Sequence, residues 1–82
     1  MAVDYAPVRI NAILPGPILT PAWDNVPPAD QQRSAGQTAL KRLGRASEIA
    51  SVTSFLASDD ASYVTGASIV VDGGWSVVKE GA

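Results

Sequence analysis

The stretch VRINAILPGPILTP, from Val8 to Pro21, joins a short apolar run to a segment that holds three prolines, a glycine and a threonine. The run Val8–Leu14 is short, rich in β-branched residues and bounded by prolines, which predicts a β-strand. Pro15–Pro21 ends that strand. Thr20-Pro21 is typical of a helix N-cap followed by the first helical residue, because proline's missing N–H costs nothing there.

The sequence after this stretch predicts a helix and a second strand. Ser47–Ser58 carries an apolar stripe at helical spacing, and Ala67–Val71 is a short apolar run ended by Asp72-Gly73-Gly74. Two strands joined by a crossover helix should lie parallel with a right-handed connection. One helix covers only one face, so the other face and one edge of the first strand stay bare. The sequence therefore predicts an α/β fold that forms part of a larger sheet.

The other expectations concern shorter elements. Three helical segments are expected: the last turn of a helix over Met1–Ala6, a short helix over Ala22–Asn25, and a polar helix from Pro28 to about Gly36. We also expect a turn over Leu40–Arg45. Trp75–Val78 is expected to extend the last strand, and the last four residues to form a tail.

The composition limits how the chain is stabilised and what chemistry it can carry. It has 82 residues, 46% of them hydrophobic, with neither Cys nor His. An isolated core of this size is marginal. Disulfides, thiolate chemistry, histidine acid–base catalysis and the common zinc sites are excluded. We therefore expect oligomerisation, or further parts of the protein, to complete the fold.

The charge pattern gives no sign of nucleic-acid or membrane binding. The net charge is −2, and the cluster of Lys41, Arg42 and Arg45 is too small for a nucleic-acid footprint and is typical of a solvated turn. No run approaches 18 apolar residues, and MAVDYAP lacks the regions of a signal peptide. We expect a cytoplasmic protein that binds neither nucleic acid nor membrane.

Seven motifs occur in order along the chain: RINA, PGxIxT, RLGR, EIA, FLASD, SYVTG and VDGG. Together they resemble the C-terminal third of a short-chain dehydrogenase/reductase, over about Met1–Val77. The resemblance implies a partial Rossmann-like unit in a single partial domain over residues 1–82. Val8–Leu14 and Ala67–Asp72 would be the last two parallel strands of a doubly wound sheet, joined by a crossover helix.

The resemblance also implies a cofactor site at the carboxyl end of the first strand. In the family this loop frames the nicotinamide of NAD or NADP. Pro15 and Gly16 would approach the ring, and the Ile18 backbone and the Thr20 hydroxyl would bond the carboxamide. Residues 21–40 would form the flexible substrate flap, with Trp23 as a wall. The helix from Ser47 and the last strand would make dimer contacts, so a homo-oligomer is expected.

Two features of the family are missing from this sequence. No glycine-rich phosphate turn occurs, and Tyr5 and Tyr63 are followed four residues later by Arg9 and Ala67 rather than by lysine. No catalytic residue and no metal ligand is therefore assigned. One hypothesis is a truncated chain that is inactive alone, binds no cofactor alone and self-associates. The alternative is the C-terminal part of an NAD(P)-dependent oxidoreductase completed by a separate N-terminal chain.

Three interpretations stay open at this point. Thr20 could cap a helix without any cofactor, or could contact the nicotinamide. Trp23 and Trp75 could pack in a core or an interface, or line a substrate site. Asp72-Gly73-Gly74 could be only a turn, or contribute to a metal site. The sequence leaves the substrate open, and also the choice between NAD and NADP.

Overall fold

The computed structural model describes the backbone of residues 1–81 and the side chains of residues 1–78. The strands are β1 (Ala12–Pro15), β2 (Ile18–Leu19), β3 (Gly44–Arg45) and β4 (Ser68–Val71). The α-helices are α1 (Pro28–Gly36), α2 (Ala46–Ala57) and α3 (Trp75–Gly81), and 3-10 turns cover Pro21–Trp23 and Asp59–Ala61.

Two parallel strand pairs organise the chain. β1 lies beside β4 in a register that runs from Ala12 opposite Ser68 to Pro15 opposite Val71. The crossover between them contains α2, so the predicted β-α-β unit is confirmed. β2 and β3 form a second, two-residue pair in which Ile18 lies opposite Gly44. The fold is α/β with parallel strands.

The first strand begins later than the sequence predicts, at Ala12 instead of Val8. The residues before it are held by single contacts rather than by a ladder. The Ile10 N–H donates to Oγ1 of Thr65 at 3.1 Å, and the Gly66 N–H donates to the Ile10 carbonyl at 2.8 Å. These bonds join the residues before β1 to the loop that contains Thr65 and Gly66. A loop does not provide the regular ladder of hydrogen bonds that defines a strand.

Arg9 and Asn11 bind the end of α2 and the segment that follows it. Nη1 of Arg9 donates to the Leu56 carbonyl at 2.8 Å, and its Nη2 donates to the Ser58 carbonyl at 3.3 Å. Nδ2 of Asn11 donates to the Val64 carbonyl at 3.0 Å. The last carbonyls of a helix have no partner inside the helix, so Arg9 provides the missing donors at the end of α2.

The predicted strand extension over Trp75–Val78 is wrong, since these residues open α3. The Asp72 carboxylate accepts from the N–H of Gly74 at 2.9 Å and from the N–H of Ser76 at 3.0 Å. It caps the helix in this way. The hydrogen bond from the Ser76 side chain is the main reason that the pKa of Asp72 lies below its usual value, and the backbone N–H groups lower it further. The predicted tail falls on residues 79–82; α3 runs to residue 81, and residue 82 lies outside the described part.

Three shorter expectations also need correction. Residues 2–7 form turns, with bonds from Asp4 N to Met1 O and from Val8 N to Tyr5 O, instead of a helix end. The helix expected over Ala22–Asn25 is a single 3-10 turn at Pro21–Trp23. A turn was predicted over Leu40–Arg45, but its last two residues, Gly44 and Arg45, form strand β3 because they pair with β2. The expected helix from Pro28 to Gly36 is confirmed.

Little of the described chain is shielded from solvent. Among residues 1–78 only Ala61 and Thr38 are buried. Leu14 and Val70 lie opposite each other in the β1–β4 register and are 45% and 53% exposed. An exposed apolar pair on one face of a two-stranded sheet indicates that this face is only partly covered. Within residues 1–81 no helix has the length and apolar character needed to cross a membrane.

Candidate functional site

The candidate site lies where β1 and β4 end side by side. The Gly16 N–H donates to the Val71 carbonyl at 3.1 Å, which continues the pairing beyond the last strand residue. A Cβ added to Gly16 would lie 2.5 Å from Cβ of Asp72. Gly16 is therefore required by the close approach of two backbones at this edge. In parallel α/β sheets the carboxyl ends of the strands are the place where ligands bind.

The turn after β4 contacts the end of the predicted flap. The Leu40 N–H donates to the Gly73 carbonyl at 3.0 Å, and a Cβ added to Gly74 would lie 2.6 Å from Cβ of Ala39. Beside them Thr38 is 1% exposed, and its Oγ1 donates to the Ala35 carbonyl and accepts from the Arg42 N–H. The C-terminal end of the flap segment is thus fixed to the turn that follows β4.

Ile18 is held by strand β3 in a defined orientation. The Gly44 N–H donates to the Pro17 carbonyl at 3.0 Å, so this carbonyl points toward β3. Backbone groups alternate in direction along an extended strand, and the N–H and C=O of Ile18 therefore point away from β3. The Ile18 side chain lies over Gly44, where an added Cβ would come within 2.7 Å of its Cδ1.

Thr20 occupies the N-cap position of the Pro21–Trp23 turn, but its side chain makes no capping hydrogen bond. Its side chain is exposed. The capping interpretation is therefore wrong for this hydroxyl. Trp23 ends the same turn and is half-buried, and its carbonyl accepts from Nε2 of Gln31 at 3.1 Å. This bond joins α1 to the turn.

Two cavities flank the PGPIL segment. One, of about 290 Å³, lies between the carboxyl end of β1, the helix α1 and the start of α3. Its described lining is Pro15, Gly16, Pro17, Ser34, Gln37 and Trp75. The other, of about 220 Å³, has a lining that includes Ile18, Leu40, Ile49 and Val70. Of the predicted site residues, Pro15 and Gly16 line the first cavity and Ile18 the second, whereas Thr20 and Trp23 line neither.

A charged cluster beside β3 fixes the start of α2. Its basic residues were expected on a solvated turn, and their pairing with Glu48 was not predicted. Nη1 and Nη2 of Arg42 donate to the two carboxylate oxygens of Glu48 at 2.8 and 2.9 Å. Oε1 of Glu48 also accepts from the Arg45 N–H at 2.9 Å, as in a capping box. The only signal in the sequence is a Glu three residues after Arg45. Within residues 1–78 no group of acidic residues could hold a metal ion.

This cluster predicts a pH dependence of stability. The hydrogen bond from Arg42, with that from Arg45, lowers the pKa of Glu48 to about 2 from its usual 4.5. A carboxyl whose pKa is lower in the folded state stabilises it above the unfolded pKa, and loses this effect as the pH falls toward the folded pKa. We expect the urea midpoint to fall between pH 5 and pH 2, and to fall less in Glu48→Gln. Parallel curves for the two proteins would contradict this role.

The comparisons with known proteins agree on one family. The profile described as Enoyl-(Acyl carrier protein) reductase matches residues 1–76. The 2,5-dichloro-2,5-cyclohexadiene-1,4-diol dehydrogenase LinX of Sphingobium indicum is 46% identical over 70 residues, which are 85% of this chain and 28% of that protein. The 3-oxoacyl-[acyl-carrier-protein] reductase FabG of Pseudomonas aeruginosa is 49% identical over 67 residues, which are 82% of this chain and 27% of that one.

Solved structures show the same relation. A short-chain dehydrogenase/reductase of Brucella melitensis superposes with a TM-score of 0.81 at 45% identity, covering 90% of this chain and 31% of that one. The ligand-free aldohexose dehydrogenase of Thermoplasma acidophilum has a TM-score of 0.83 at 36% identity, covering 93% and 34%. The chain spans about a third or less of each of these proteins.

Proposed function

The chain belongs to the short-chain dehydrogenase/reductase family, and from this premise we propose that it supplies the nicotinamide-facing wall and the substrate flap of an NAD(P)-dependent oxidoreductase. By itself it is inactive, and it acts only when the rest of the fold is present. The wall consists of Pro15, Gly16, Ile18 and Thr20. The flap consists of residues 21–40.

The orientation of Ile18 carries the proposal. Its N–H and C=O point away from β3 because the neighbouring Pro17 carbonyl bonds to Gly44. A primary carboxamide, such as that of nicotinamide, has two donors and one acceptor and so can pair with both groups. The exposed Thr20 hydroxyl, which does not cap its own turn, is a further donor and acceptor two residues along.

The 82-residue sequence lacks two parts that such an enzyme needs. One is a glycine-rich turn at a helix N-terminus, which binds the pyrophosphate through backbone N–H groups. The other is an acid–base group that can exchange a proton with the substrate while hydride moves; in this family it is a Tyr paired with a Lys four residues later. We assign both to the part of the relatives that this chain does not match.

Titration calorimetry of the isolated chain tests the proposal. We expect no binding of NADH or NADPH at micromolar concentration, because one wall contacts only a small part of the dinucleotide. Circular dichroism of the same sample would establish that the chain is folded. A dissociation constant in the micromolar range for the folded chain alone would contradict the proposal.

The exposed pair Leu14 and Val70 supports a second proposal, that copies of the chain associate through the β1–β4 sheet. Both side chains lie on one face of that sheet. Within residues 1–81, β1 pairs with β4 only, so its other edge presents backbone N–H and C=O groups to a further strand. A second copy could cover the face and extend the sheet.

Sedimentation velocity tests this second proposal. At micromolar concentration we expect at least a dimer for the native chain and a shift toward monomer for Val70→Lys, which places a charge on the apolar face. Val77→Lys is the matched control, because Val77 is 71% exposed on α3 and lies outside the sheet. A folded native monomer, or equal shifts in both variants, would contradict association through this face.

A further inference from the structure

The carboxylate of Glu48 holds the segment that contains β3 at two points. Its Oε1 accepts from the Arg45 N–H at 2.9 Å. Its two oxygens also accept from Nη1 and Nη2 of Arg42, at 2.8 and 2.9 Å. The carboxylate belongs to the first turn of α2, a regular helix of 12 residues. The segment from Arg42 to Arg45 is therefore tied at both ends to one group on a rigid element.

Strand β3 depends on this attachment for its position. It pairs with β2 over only two residues, Gly44 and Arg45. A strand pair of this length is marginal by itself, so the position of β3 depends on the groups that hold it from outside the pair. Glu48 is such a group, because it bonds to the Arg45 N–H from α2. A change at Glu48 is therefore transmitted to β3.

The position of β3 in turn determines the orientation of Ile18. The Gly44 N–H donates to the Pro17 carbonyl at 3.0 Å, and this bond directs the N–H and C=O of Ile18 away from β3. The Ile18 side chain lies over Gly44, where an added Cβ would come within 2.7 Å of its Cδ1. Both the backbone and the side chain of Ile18 thus follow the position of β3.

We propose that Glu48 is a positioning residue for the nicotinamide carboxamide, and that it acts through β3 and Ile18 without contacting the cofactor. The identity of the group that Ile18 binds rests on the proposed function; the coupling of Glu48 to Ile18 does not. A misplacement of about 1 Å at a binding group can cost about a hundredfold in rate. A small shift of β3 is therefore enough to weaken the wall.

The ion pair is too exposed to act mainly by stabilising the fold. The side chains of Arg42 and Glu48 are 45% and 39% exposed. Exposed ion pairs contribute little to the free energy of unfolding, because water screens the charges and two long side chains must be ordered. Loss of Glu48 should therefore lower the stability only slightly, whereas β3 loses its anchor on α2.

Amide hydrogen exchange, followed by NMR on the full 82-residue chain, tests the coupling. The Gly44 amide reports the bond to Pro17, and the Ala12 amide, which donates to the Ala67 carbonyl at 2.9 Å, reports the β1–β4 sheet. In Glu48→Ala we expect exchange at Gly44 to become about tenfold faster and exchange at Ala12 to stay the same. General destabilisation would accelerate both amides.

Two further variants make the test specific. Glu48→Gln keeps a side-chain oxygen that can accept from the Arg45 N–H, so exchange at Gly44 should stay within about twofold of the native rate. Asp59→Ala removes an exposed carboxylate from the turn after the other end of α2 and should leave both amides unchanged. An unprotected Gly44 in the native chain, equal acceleration of Gly44 and Ala12 in Glu48→Ala, or equal effects of Glu48→Ala and Asp59→Ala would overturn the proposal.

The consequence for the cofactor is measured in a complex of this chain with the N-terminal part of a relative. Glu48→Ala should raise the KM for NAD(P) about fivefold or more with little change in kcat, and Glu48→Gln should restore the native KM. A merely structural role would reduce the amount of folded enzyme, which lowers the apparent kcat and leaves this KM unchanged.

Failure of this inference is separable from failure of the proposed function, because the exchange experiment contains no nicotinamide cofactor. An inactive complex together with selective acceleration at Gly44 removes the proposed function and the carboxamide assignment, and retains the coupling of Glu48 to β3. An active complex whose cofactor KM is the same in Glu48→Ala overturns the positioning role alone.

Discussion

Replacing Gly74 by alanine is expected to destabilise the chain by about 2–5 kcal/mol, enough to unfold much of a small marginal domain. Gly74 has φ +85°, a conformation that costs other residues about 1–2 kcal/mol. The new Cβ would also lie 2.6 Å from Cβ of Ala39, and such overpacking costs about 1–3 kcal/mol. Urea denaturation followed by circular dichroism measures the loss.

Gly36→Ala is the matched control. Gly36 ends α1, and an added Cβ has no heavy atom within 4 Å. Alanine is favoured over glycine in a helix by about 0.5–1 kcal/mol, so this variant should be as stable as the native chain or more stable. Similar losses in both variants would show that the contact between the β4 turn and Ala39 does not stabilise the fold.

The elements with strong local signals were predictable from the sequence. α2 follows from apolar residues at helical spacing, among them Ile49, Val52 and Leu56, and its observed ends lie within one residue of the predicted ones. α1 begins at Pro28, where a proline at the first helical position marks the start. The parallel pairing of the two strands followed from the helix between them.

The elements set by distant contacts were not predictable. Trp75–Val78 is a short run with mostly apolar residues that suits a strand or a helix equally, and the cap by Asp72 decides for the helix. β2 and β3 have two residues each and exist because residues far apart in sequence pair with each other. No periodicity can appear in so short a segment.

The candidate site was predictable in part. The family motif places Pro15 and Gly16 at the strand edge, and the structure adds a local reason for the glycine, which is the contact with Asp72. The bond from Gly44 that orients Ile18 depends on tertiary pairing and could not be inferred. The position of Trp75 in the same cavity as Gly16 also could not be inferred from the sequence, because it depends on the turn at Gly73-Gly74.

The second large effect is the appearance of activity on completion of the fold. The part of the Sphingobium indicum dehydrogenase that lies outside the matched 70 residues would be produced together with this chain. Each part lacks groups that the other supplies, so we expect no turnover from either one and measurable oxidation by the complex. Size-exclusion chromatography would establish that the two parts associate.

Thr20→Val within the complex gives a finer readout. Losing one hydrogen bond to the carboxamide should raise the KM for the cofactor about fivefold or more. Thr53→Val is the control, because Thr53 is exposed on α2 and its Oγ1 bonds to the Ile49 carbonyl of its own helix. It should leave the KM unchanged.

The proposed role of this chain is tested most simply by the rate of NAD(P)H formation by the associated complex, with 2,5-dichloro-2,5-cyclohexadiene-1,4-diol as substrate. We expect turnover by the complex, none by either part, and a higher cofactor KM in Thr20→Val but not in Thr53→Val. A complex that associates and folds but forms no NAD(P)H would contradict the claim that this chain supplies the nicotinamide-facing wall.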